Sequence, residues 1–217
     1  MRLMPLLALA AVALPPAASA ATYHVAQTPN ASDENAGTEV HPWKTIARAV
    51  DAVQPGDTVL IHAAAGGVGI LAVQIAGAMG ARVIGTASLG NHEALRALGA
   101  EPVEYGDGLA DRVRALAPDG VDVVVDFAGG VLETTLAVLR DGGRHGSIVD
   151  GTVAGKGGIA AWVRPSGTDL QALADLADAG KLTVPVARSF PLEEAADAFR
   201  ASMTGHVRGK IAIRVSR

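Results

Sequence analysis

Cysteine is absent from the chain, which excludes disulfides, thiolate zinc or iron–sulfur ligation, a thiol nucleophile and a lipidated cysteine anchor. Aromatic residues are scarce, at 3%, and the net charge is only −4. There is accordingly neither a basic surface to track phosphates nor a stacking platform for bases, and nucleic acid is not an expected partner. No H-E-x-x-H pair occurs, and His24, His41, His62, His92, His145 and His206 are scattered, so no metal site is expected. No G-x-S-x-G elbow is present either. Apart from the first twenty residues, no apolar run is long enough to span a bilayer, which needs about 20 residues. The mature protein is expected to have no membrane partner.

Against these absences, 49% of the 217 residues are hydrophobic and 18% charged, the balance of a folded globular chain with its own core. Glycine is abundant, with 26 residues against a usual share of about 7%. Residues 1–20 have the layout of a secretory signal peptide: Arg2, an apolar stretch from Leu3 to Leu14, then Ala18-Ser19-Ala20 before Ala21. Export to the periplasm or medium is therefore expected, with a cytoplasmic location if the amino terminus is not processed. From Ala21 to Ala52 the chain is polar and turn-rich, apart from a helical spacing of apolar residues at Trp43, Ile46, Ala49, Val50 and Val53.

From Thr58 onward strands alternate with helices. Strands are expected at 58–63, 82–87, 102–105, 121–127 and 144–149, with helices at 67–79, 91–98, 109–117 and 131–140 between them. This pattern predicts an α/β fold, a doubly wound parallel sheet of Rossmann type with a short irregular amino-terminal extension. Two further helices follow. One runs from the cap region Ser166–Thr168 to a stop at Gly180, the other is marked by Leu192 to Met203, and an alternating strand from Lys210 to Val215 closes the chain.

The strongest chemical signal is Val59-Leu60-Ile61-His62-Ala63-Ala64-Ala65-Gly66-Gly67-Val68-Gly69, a buried-type strand entering a glycine turn and then a helix. Small residues at 64, 66 and 69 let the turn close, a pyrophosphate approach the backbone and the helix pack on the strand. The unpaired amides of that helix start suit an anion. Position 64 is alanine where G-x-G-x-x-G has glycine. The second strand runs into Gly85-Thr86-Ala87-Ser88-Leu89-Gly90-Asn91, without the acid that usually holds the ribose hydroxyls of NAD. Ser88 and Asn91 can instead hydrogen-bond to a 2′-phosphate, so NADP is the expected cofactor. Asp126, at the end of the fourth strand, reads as a capping or loop-orienting residue.

The stretches PGDTVLIHAAAGGVGILAVQIA, LRALGAEPVEYGDG, VDVVVDFAGG, LRDGGRHGSIV, PLEEAADAF and GHVRGKIAIRV resemble, in order and spacing, the carboxyl-terminal half of the zinc-free medium-chain reductases of the quinone oxidoreductase-like group. The resemblance covers residues 54–217 and implies an NADP-binding Rossmann domain with a returning carboxyl-terminal segment. It also implies hydride transfer from NADPH to a small-molecule substrate, a quinone or an activated alkene. Carried over by position, Gly66, Gly67, Val68 and Gly69 would hold the pyrophosphate. Ser88, Asn91 and Tyr105 would lie near the adenosine phosphate, Phe127 and Gly129 would flank the nicotinamide ribose, and Arg208 and Lys210 would reach the cofactor from the returning segment. In that family a barrel domain precedes the Rossmann domain and supplies most of the substrate pocket. Here residues 22–62, TYHVAQTPNASDENAGTEVHPWKTIARAVDAVQPGDTVLIHA, instead resemble the opening of secreted right-handed parallel β-helix proteins, and 21–53 is a segment of that kind. The expectation is thus a truncated, weakly active oxidoreductase. Two alternatives stay open: a non-enzymatic nucleotide-binding module, and a secreted polysaccharide-binding or lyase-related β-helix fragment. Homo-oligomerisation is also left open.

Overall fold

The computed structural model describes residues 55–162 and 165–215. The expected leader (1–20), the 21–53 segment and the helix at 43–53 lie outside them. Six parallel strands form the main sheet in the order β3-β2-β1-β4-β5-β6. They are β1 Thr58–His62, β2 Arg82–Thr86, β3 Glu101–Val103, β4 Val121–Asp126, β5 Leu139–Ser147 and β6 Ile159–Ala160. Helices α1 Gly69–Ala78, α2 His92–Ala97, α3 Leu109–Leu116 and α4 Leu132–Val138 make the crossovers, which gives the doubly wound Rossmann arrangement the alternation predicts.

The two faces of the sheet are packed by alternate residues of each strand. Val59 and Ile61 of β1 join Val73 and Ala76 of α1 and Leu95 of α2 in one core. Leu60 turns the other way and packs with Val113 of α3, Val124 of β4 and Val138 of α4 in a second. Because β1 is buried on both faces its sequence is a continuous apolar run, as a central parallel strand requires. His62 pairs in register with Asp126, and Asp126 with Ser147, so three polar side chains stand together where the apolar strands end.

Within the main sheet, four details depart from the sequence expectation. The helix expected to reach 140 ends at Val138, because Leu139 turns to extended backbone. Strand β5 then begins at Leu139 rather than 144, anchored by an ion pair between Arg140 and Asp122 and admitted by Gly120, where a Cβ would lie 2.9 Å from the Arg140 amide. The 91–98 helix is a 3₁₀ turn, Leu89–Asn91, followed by α2. Strand β6 was not foreseen, being two residues long.

The returning segment holds α5 Gly167–Asp178, β7 Val186–Pro191, α6 Ala195–Met203 and β8 Lys210–Arg214. The Ser166 hydroxyl accepts from the Asp169 amide, capping α5 as its sequence predicts. Strand β7, also unforeseen, pairs in parallel with β8 as a separate two-stranded sheet. The unit docks on the Rossmann sheet through polar contacts. The Gln74 side-chain amide donates to the Thr183 carbonyl (2.9 Å), and its oxygen accepts from the Thr183 amide (2.8 Å). The Gly209 amide donates to the Ala65 carbonyl (3.1 Å). No helix among the described residues is long and apolar enough to cross a membrane.

Candidate cofactor site

At the end of β1 the chain turns through Ala63, which holds a left-handed φ of 53°. The turn is tied to β2 by the Ala63 amide, which donates to the Thr86 hydroxyl (3.1 Å), and by the Ala64 amide, which donates to the Thr86 carbonyl (3.0 Å). Each small residue of the motif has a separate steric reason. A Cβ on Gly69 would lie 2.2 Å from the Ala63 carbonyl oxygen and 2.8 Å from the Ala64 Cα, so only glycine lets α1 approach the strand. Gly66 leaves a Cβ-sized gap 3.2 Å from the same oxygen. Ala64 is fully buried, and its room comes from the next strand: a Cβ on Gly85 of β2 would come within 2.8 Å of the Ala64 Cβ. Helix α1 begins after Val68 with no side chain capping it; its Ile70 and Leu71 amides donate to the Gly66 and Val68 carbonyls (3.0 and 3.1 Å), so the backbone of the turn closes the helix start.

Above this turn, outside the carboxyl ends of the strands, lies a cleft of about 780 Å³. It sits at the point where the strand order reverses between β1 and β4, the usual ligand position in such sheets. Its walls come from the glycine turn, residues 86–91 after β2, residues 105–110 after β3, residues 128–134 after β4, and residues 205–207 of the returning segment. Gly66, Ser88, Asn91, Tyr105 and Gly129 line it, and the Asn91 side-chain amide donates to the Ser88 hydroxyl (3.1 Å) at the rim.

Other residues named from the sequence stand elsewhere. Gly67, Val68 and Gly69 form the back of the turn rather than the wall; a Cβ on Gly67 would meet the Gly209 carbonyl oxygen at 3.1 Å and the Lys210 stem at 3.3 Å. Lys210 therefore lies against the turn, while Arg208 is not among the lining residues, and it is Gly205, His206 and Val207 that reach the cleft. Phe127 is a correction. The two-residue repeat of β4 sends Val123, Val125 and Phe127 to the α1 face, where they pack against that core, so the Phe127 ring does not flank the cleft.

Three side chains, Asp126, Ser147 and His62, organise the strand ends beneath the cleft. The buried Asp126 carboxylate accepts from the Ala128 amide (2.7 Å), the Gly129 amide (3.0 Å) and the Ser147 hydroxyl (2.8 Å). Ser147 in turn accepts from the Val149 and Asp150 amides (3.1 and 2.9 Å). Asp126 thus orients two loops, as its position at the strand end suggests. His62, also buried, meets the Thr135 hydroxyl through Nε2 at 3.3 Å, and its Nδ1 has no partner among the described residues. Burial holds its imidazole down at about 4, against the opposing pull of the Asp126 carboxylate. A polar residue closing an apolar strand was the available signal for His62. Of the lining residues Asp107 alone carries a carboxylate, and none is lysine or arginine. Among the described residues no three His, Asp or Glu side chains converge on a metal position.

Residues 98–213, just over half of the chain, match the zinc-binding dehydrogenase family. The chain belongs to that family. It carries the Rossmann half of a medium-chain, quinone oxidoreductase-like oxidoreductase, and solved structures agree. The quinone oxidoreductase of Coxiella burnetii is 36% identical with a TM-score of 0.68, over 79% of this chain and 57% of that one. The CurK enoyl reductase is 31% identical with a TM-score of 0.64, over 75% of this chain and 56% of that one. The mitochondrial NAD(P)H oxidoreductase RTN4IP1 of Homo sapiens is 30% identical over 193 residues, 74% of this chain and 48% of its own length. The chain therefore spans about half the length of these relatives.

Proposed function

We propose that the cleft binds NADPH and that the protein passes its hydride to a quinone or an activated alkene. The observation that carries this reading is the glycine turn, whose Gly66 presents bare backbone to a cleft at the sheet's reversal point. A volume of about 780 Å³ lies within the usual range for ligand sites, about 300–1,000 Å³. When bound, the dinucleotide supplies the hydride. The chain's own part is to hold it: the turn backbone at Gly66 faces the pyrophosphate, Ser88 and Asn91 offer a hydroxyl and an amide to the 2′-phosphate, and Asp126 fixes the loop that includes Gly129. The acceptor classes come from the quinone oxidoreductase and the enoyl reductase that the chain resembles.

Titration of the full chain with NADPH and NADH tests the cofactor, and steady-state NADPH oxidation with a small quinone or an enone tests the reaction. NADPH should bind more tightly, and Ser88→Asp should reverse the order by placing a carboxylate against the phosphate. Equal affinity for both cofactors would remove the basis for the NADP reading. Export with cleavage after Ala20 is the address we propose, and mass spectrometry of the amino terminus reads it directly.

A further inference from the structure

The loop from Glu104 to Gly108 follows β3, the edge strand of the sheet, and supplies Tyr105, Gly106, Asp107 and Gly108 to the cleft wall. An edge loop of this kind has few backbone partners. Within it the Leu109 amide donates to the Gly106 carbonyl and the Arg112 amide to the Gly108 carbonyl. What gathers it is a single side chain from α3. The Arg112 guanidinium donates to the Glu104 carbonyl from both Nε (3.0 Å) and Nη2 (2.9 Å), and from Nη2 also to Tyr105 (3.3 Å) and Gly106 (3.2 Å), while Nη1 donates to Asp107 (2.7 Å). Four consecutive carbonyls converge on one planar cation. Gly108 makes the room: its φ is +73°, and a Cβ there would lie 3.3 Å from Nη1.

We propose that Arg112 is the positioning residue for the adenosine half of the cofactor. The proposal rests on the dinucleotide reading above and deepens it. Arg112 touches no ligand; it fixes the loop so that Tyr105, which is 54% exposed, lines the same cleft as Ser88 and Asn91 before a ligand arrives. The cost of ordering the loop is then met in folding rather than in binding, which raises affinity without adding a contact. The fork geometry of arginine is needed, because an ammonium is a point charge with no plane to match four carbonyls.

The test uses the full chain and two cofactor halves, adenosine 2′,5′-bisphosphate and nicotinamide mononucleotide, with binding followed by calorimetry or NMR. In Arg112→Ala the adenosine half should bind about tenfold more weakly, and the nicotinamide half as in the parent. Arg112→Lys should itself weaken the adenosine half by more than about threefold against the parent and leave the nicotinamide half unchanged, a result that stands even if the alanine variant does not fold. Equal weakening of both halves, full rescue by lysine, or unchanged binding of the adenosine half would each overturn the assignment. A parent chain that binds neither dinucleotide nor either half would instead sink the dinucleotide reading itself.

Discussion

The Rossmann sheet and the returning segment are built on opposite terms. The sheet between Thr58 and Ala160 has two apolar cores, one on each face. Beyond Ala161 the described residues bury only three hydrophobic side chains, Leu182, Phe190 and Ala198, while Trp162, Phe199 and Met203 are each more than 70% exposed. The sheet holds itself through interior packing, whereas the returning unit is held at Thr183 and Gly209 by hydrogen bonds to α1 and the glycine turn. Substitutions in the first region should be global in effect, and those at the docking points local.

The largest effect is expected at Gly69. Gly69→Ala forces a methyl into the Ala63 carbonyl, and backbone on both sides leaves little to yield, so a loss of about 3 kcal/mol is expected. Urea unfolding would show it as a lowered midpoint, and a variant within 1 kcal/mol of the parent, roughly the small end of overpacking costs, would mean that the turn relaxes.

Acid should produce a loss of similar size. His62 is neutral in the fold down to about 4, whereas an unfolded histidine takes its proton near 6.5. The contribution is therefore intact above about 6.5 and falls as pH drops towards 4, because only the unfolded state gains the proton. Its full span is roughly 3 kcal/mol. His145, likewise lowered by burial, acts in the same direction. Stability measured from pH 7 to 4.5 should decline, and His62→Gln should flatten the slope; an identical slope in that variant would assign the acid loss to other groups.

Gln74→Ala separates the two regions more gently. It removes both hydrogen bonds to Thr183, worth about 1–3 kcal/mol together, and so should loosen the returning unit alone. Limited proteolysis after Ala161 should accelerate while the unfolding midpoint of the sheet holds. Cleavage and midpoint moving together would show a single cooperative unit. The smallest effect belongs to Arg82→Ala, which breaks the two-pronged pair with Glu101 (2.6 and 2.8 Å) between β2 and β3. Both partners are about two-fifths exposed, and such pairs contribute less than about 1 kcal/mol.

The sheet region was also the readable one. A continuous apolar run at 59–61 and glycines at fixed offsets identify a central strand and its turn, because burial on both faces leaves no other composition open. The returning strands were less legible. Pro185 and Pro191 bracket β7, Arg188 interrupts it, and Phe190 is its one buried residue, so no alternation marks it. At the cleft, Gly66, Ser88, Asn91, Tyr105 and Gly129 were recoverable because their places follow strand ends. Phe127 came from the resemblance alone, whereas the alternation from Val123 through Val125 turns it to the α1 face. Arg112 carried no signal at all: its acceptors are carbonyls, which every residue has, and among the charged residues of α3 nothing distinguishes it.

The alanine at position 64 has a consequence for how such turns vary between sequences. With Ala64 fully enclosed and Gly85 facing it from the neighbouring strand, one methyl group is shared between two positions. Moving it across, as Ala64→Gly with Gly85→Ala, keeps the enclosed volume, while adding a methyl at 85 alone overfills the gap and removing the one at 64 alone empties it. The two sites should therefore drift together, and the dinucleotide fingerprint is spelled across two adjacent strands rather than along one loop.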